Sequence, residues 1–119
     1  MKKNIVKEKS LDFAVRIVKL CRYLSSNKKE FIMSKQLLRS GTSVGAMIRE
    51  SEHAESKADF IHKLAIAQKE SNETLYWLEL LMKTNYLDKS EYESINSDAT
   101  EIIKLLTKII VTSRNNIKS

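Results

Sequence analysis

Two histidines, one cysteine and fifteen carboxylates are the groups in this 119-residue chain that could support covalent or metal chemistry. Glu50-x-x-His53 and Asp59-x-x-His62 have the spacing by which facing helices bring a carboxylate and an imidazole to a di-metal centre. Such a centre needs ligands from four helices at mid-bundle. Both histidines instead flank one turn, and Glu70 lies eight residues beyond His62, about 12 Å along a helix axis. The pattern is that of a solvated helix end, and no metal site is expected. Cys21 falls inside an apolar stripe and reads as a buried structural thiol. No nucleophile–base pair stands out. Gly41 and Gly45 follow no strand, so they form no phosphate cradle. The chain is read as non-enzymatic, with no catalytic residue and no cofactor.

The remaining chemistry is ionic. Residues 1–40 hold eleven lysines and arginines against three acids, a net +8, whereas residues 41–119 hold ten against twelve, a net −2. An asymmetry of this kind suits a polyanion partner. Lys9, Arg16, Lys19 and Arg22 share one helical face, and Lys35 and Arg39 open the next helix. These six are the candidate nucleic-acid contacts, to phosphates and with little sequence preference. Glu50, Glu70 and Glu73 sit beside apolar positions and need partners if buried; Arg39 and Arg49 are candidates. Trp77, next to Tyr76, falls at packing spacing and reads as an interface anchor before a base-stacking residue.

These groups must be positioned by helices. There is no proline, there are two glycines, and Leu, Ile, Lys and Glu abound. Amphipathic periodicity predicts helices over about 9–26, 35–53, 57–84 and 91–112 in one domain spanning 1–119. Ser34, Ser56 and the Ser90–Glu93 capping box mark three starts. Phe31 and Ile32 are expected to tuck under the bundle end, and the tail SRNNIKS to fray. Short connections give an all-α, antiparallel up-down-up-down four-helix bundle. Each glycine inside a helix costs about 1 kcal/mol relative to alanine. Gly41 and Gly45, among Ser40, Thr42, Ser43 and Ala46, therefore imply close approach of a second helix, and Gly45→Leu should overpack it. Glu50, Glu70, Glu73 and Trp77 are the other candidates for helix packing or an oligomer interface. One cysteine permits no intrachain disulfide. No apolar run reaches the roughly 20 residues of a membrane span, and no signal peptide is evident at the N-terminus. A cytoplasmic protein with no membrane partner is expected.

Two stretches carry a family resemblance: QLLRSGTSVGA over 36–46, followed by Arg49-Glu50, and ESKADFIHKLAIAQKESNETLYWLELL over 55–81. Together they resemble the four-helix-bundle family encoded in intervening sequences of bacterial 23S rRNA genes, often labelled ribosomal-protein-like. The family pattern places Asn, then Tyr or Ile, after the Gly-Ala pair. Met47 stands in place of that Asn, with Ile48 after it, so any polar contact made by the Asn is absent. The resemblance implies a toroidal homopentamer. Accessory proteins of diversity-generating retroelements, basic pentameric barrels that associate with a reverse transcriptase and nucleic acid, resemble the same fold. The expected function is non-enzymatic binding of nucleic acid, RNA before DNA, by a homo-oligomer. The alternative is a protein–protein adaptor or scaffold that takes its partner on the Trp77 flank.

Overall fold

A computed structural model describes residues 4–118, with side chains through 116. Residues 1–3 and 119, the ends of the expected 1–119 span, lie outside the described residues. Four helices follow in order: α1 (Ile5–Lys28), α2 (Met33–Ser51), α3 (Lys57–Lys83) and α4 (Lys89–Lys118). They run antiparallel, as the cross-helix pairs show. Gly45 and Gly41 of α2 lie on Ser10 and Ile17 of α1. Ser40 of α2 meets Thr74 of α3, Gln68 of α3 meets Thr107 of α4, and Arg16 of α1 meets Asp98 of α4. The first three helix pairs pack extensively, whereas α1 and α4 meet over the least surface.

The core is the sum of four apolar stripes, and burying those stripes is what stabilises helices of modest intrinsic propensity. Ile17, Leu24, Leu37, Ile48, Leu64, Leu78, Leu81, Ile95, Ile102 and Leu106 are fully buried. Serines and Thr74 interrupt the stripes without a polar penalty. Ser71 Oγ and Thr74 Oγ1 donate to carbonyls one turn back, at 2.8 Å each. No buried side-chain polar atom among the described residues lacks a partner.

The helix ends depart from sequence expectation in instructive ways. Helix α1 begins at Ile5, four residues early, because Asn4 accepts the Lys7 N–H at 3.1 Å and Val6 and Ser10 extend the buried stripe. Ser34 does not cap α2. Glu30 does so from outside the helix: its carboxylate accepts the N–H groups of Ile32, Met33 and Ser34 at 3.2, 3.2 and 2.8 Å. Drawing Glu30 inward turns its neighbours outward, so Phe31 and Ile32 do not tuck under the bundle. They are 60% and 80% exposed. Ser56 does cap α3, accepting the Asp59 N–H at 3.0 Å. At α4 the cap is Asp88, which accepts the Glu91 N–H at 2.8 Å, rather than Ser90. The same cap-x-x-Glu pattern occurs two residues earlier, after a turn at Asn85 (φ 68°). The tail expected to fray continues as helix to Lys118, with Ser113 buried.

Candidate nucleic-acid interface

The six basic candidates divide by what α4 and α3 place opposite them. Lys9 Nζ is 2.6 Å from Glu101, and that hydrogen bond and charge raise its pKa above the ordinary lysine value. Arg16 lies 2.8 Å from Asp98 and donates a second bond to Ser94 Oγ at 2.8 Å. Arg39 reaches across to α3, pairing with Glu70 at 3.1 Å and with Glu73. These three cations are committed within the chain. Lys19, Arg22 and Lys35 are exposed and form no ion pair among the described residues. Lys28 and Lys29, at the end of α1, are equally unpaired and were not singled out from the sequence. The signal for them was present as an adjacent lysine pair in a connector. It was obscured by Glu30, whose charge is turned inward.

The packing candidates sit on α2 and α3. Gly41 is buried, and a β-carbon there would come within 2.9 Å of Ile17. Gly45 is looser, 3.3 Å from Ser10 Oγ. Glu73 accepts from Trp77 Nε1 at 3.0 Å as well as from Arg39, which makes an Arg39–Glu73–Trp77 relay on the α2–α3 face. The Glu70 side chain, only 13% exposed, completes this network. Tyr76 packs edge-on to Trp77 at 5.0 Å between ring centres and is 57% exposed. Glu50 pairs with Lys63 at 3.5 Å, not with Arg49.

The possible metal ligands do not converge. Among the described residues no three of His, Cys, Asp and Glu form a group able to hold an ion. Glu50, His53 and Asp59 line one open depression, which also holds the Lys63 ammonium; His62 is exposed on α3. Cys21 is buried and its S–H donates to the Ser34 carbonyl at 3.3 Å. Burial, with the Glu30 charge adding, pushes the thiol up to about 11, so it is neither a thiolate nor a nucleophile at neutral pH. No described helix is long and apolar enough to cross a membrane.

Residues 2–108 match the family described as 23S rRNA-intervening sequence protein. A crystal structure from Bacteroides thetaiotaomicron, described as a protein with unknown function from the S23 ribosomal protein family, is 66% identical. The match covers 88% of this chain and 97% of that one, with a TM-score of 0.88. No curated protein matches.

Proposed function

From the premise that this chain belongs to the 23S rRNA-intervening sequence protein family, we propose that it is a non-enzymatic, cytoplasmic, homo-oligomeric bundle that binds nucleic acid, RNA before DNA. The observation that carries this reading is the set of unpaired cations on the α1–α2 half. Lys19, Arg22 and Lys35 are exposed and uncommitted, so each is available to a phosphate without first breaking an internal pair. Contacts of this kind release counterions and recognise backbone more than sequence. The family resemblance supplies the subunit number of five. Exposed apolar residues such as Leu11, Val15 and Leu38 are surface that an assembly would cover.

The experiment pairs the mass in solution with RNA binding at low salt. A pentamer is expected by sedimentation equilibrium. Reversal of Lys19, Arg22 and Lys35 together to Glu should abolish binding and leave the mass intact. Wild-type protein that binds no RNA at low salt contradicts the reading. A second reading, a protein–protein adaptor, draws on the exposed Tyr76 beside Trp77. Under it, Trp77→Ala removes partner capture or subunit assembly while RNA binding is never detected.

A further inference from the structure

The tip of the bundle between α1 and α2 combines three features. First, it displays an aromatic and a branched apolar side chain, Phe31 and Ile32, outward on a turn. That turn is held firmly. Lys29 adopts a left-handed conformation (φ 55°), the Glu30 N–H closes on the Leu24 carbonyl at 3.0 Å, and the buried Glu30 carboxylate grips three backbone N–H groups. A side chain presented on a fixed turn loses little freedom on binding. Second, Lys28 and Lys29 lead into the turn, Arg22 and Lys35 are exposed on the two helices it joins, none of the four forms an ion pair among the described residues, and the one acid of the connector, Glu30, is buried. Third, a cleft of about 370 Å³ adjoins the tip, lined by Tyr23, Lys28, Asn85 and Tyr86. This volume is within the range of small-molecule pockets, about 300–1,000 Å³. Asp88 and Glu91 also line it and outnumber Lys28, so its interior suits a neutral ring with amino or imino donors better than a phosphate.

We infer that this tip docks single-stranded RNA, with Phe31 stacking on an unpaired base, an adjacent base entering the Tyr23–Tyr86 cleft, and Lys28 and Lys29 meeting the phosphates. The inference rests on the nucleic-acid reading above and assigns it a strand type and a place. Interleaved cations and exposed aromatic faces are the chemistry of single-strand binding, because every unstacked base offers a π-face. A duplex keeps its bases stacked on one another and offers Phe31 nothing. A bilayer is a poorer fit, since two apolar side chains on a polar turn fall short of the continuous apolar face of an interfacial helix.

The test measures binding of a labelled single-stranded RNA and of a blunt-ended, two-strand RNA duplex with the same number of phosphates, alongside phosphatidylcholine–phosphatidylserine vesicles. Wild type should prefer the single strand. Phe31→Ala should weaken single-strand binding about tenfold or more and leave duplex binding unchanged. Lys28→Glu with Lys29→Glu should weaken both. Because Phe31 is exposed, the variant keeps its fold, which its thermal melt verifies. Wild type that binds neither RNA at low salt overturns the underlying reading. Wild type that binds RNA while Phe31→Ala changes nothing, or weakens both forms equally, overturns the tip alone. Vesicle binding that depends on Phe31, with single-strand binding indifferent to it, overturns the tip in favour of a lipid surface.

Discussion

At Gly41 a β-carbon would lie 2.9 Å from both Cγ atoms of Ile17, and Ile17 is fully buried with a branched side chain that has nowhere to turn. At Gly45 the nearest atom is the Ser10 hydroxyl oxygen at 3.3 Å, which can give by a few tenths of an ångström. The two glycines are thus unequal. Gly→Ala gains about 1 kcal/mol of helix propensity at either position. At Gly41 overpacking of about 1–3 kcal/mol offsets or exceeds it, so Gly41→Ala should lower stability by up to about 2 kcal/mol, whereas Gly45→Ala should be neutral or stabilising. Chemical denaturation of both variants reads this directly; a Gly45→Ala loss as large as that of Gly41→Ala would show that α1 and α2 approach equally at both points. The sequence made the need for close packing visible as two glycines in a helix that otherwise avoids them. It could not rank them, because the ranking depends on which α1 residue each one meets.

Among the elements, the stripes of all four helices were legible because each pattern is long and its partner surface is generic. The connectors were not. Between α1 and α2 the sequence offers Glu30-Phe31-Ile32, and hydrophobicity alone places Phe and Ile inside and Glu outside. The inversion follows from backbone accounting: the first N–H groups of α2 need acceptors, and a carboxylate two to four residues upstream serves three of them at once. Burial acts against the Glu30 carboxylate, yet the bonds from Ser34, Met33 and Ile32 together hold its pKa below the ordinary value. A depressed folded pKa stabilises above the unfolded value, near 4.3, and that contribution is lost as pH falls through the folded pKa. Glu30→Gln should therefore lower stability by about 1–2 kcal/mol at pH 7. The gap to wild type should narrow as pH falls below about 4, which thermal melts across pH 2–7 would follow. A gap that stays constant with pH would mean that the amide replaces the carboxylate only in shape, and that charge is not what holds α2 to the end of α1.

For the whole molecule, the charge asymmetry was readable from the sequence, but its meaning was not. The net +8 of residues 1–40 counts Lys9, Arg16 and Arg39 on equal terms with Lys19, Arg22 and Lys35. Only folding brings Asp98 to Arg16 from 82 positions away and Glu73 to Arg39 from 34. Half of the candidate face therefore pairs with acids of other helices, and half is left without an ion pair among the described residues. The two halves should respond differently to salt. For single-stranded nucleic acid the logarithm of affinity falls with the logarithm of salt by about 0.7 for each phosphate neutralised. Replacing Lys19, Arg22 or Lys35 with Gln should reduce that slope by about 0.7 for each cation removed from the contact, with little change in stability. Replacing Lys9 or Arg16 should leave the slope alone and change stability little, since both pairs are partly exposed and screened by solvent. Arg39→Gln should cost more, because it strands the Glu70 carboxylate in a largely covered position. A salt titration of RNA binding on the six single variants separates the sets. If all six flatten the slope alike, the internal ion pairs open on binding, and the entire α1–α2 face, not its unpaired half, meets the phosphates.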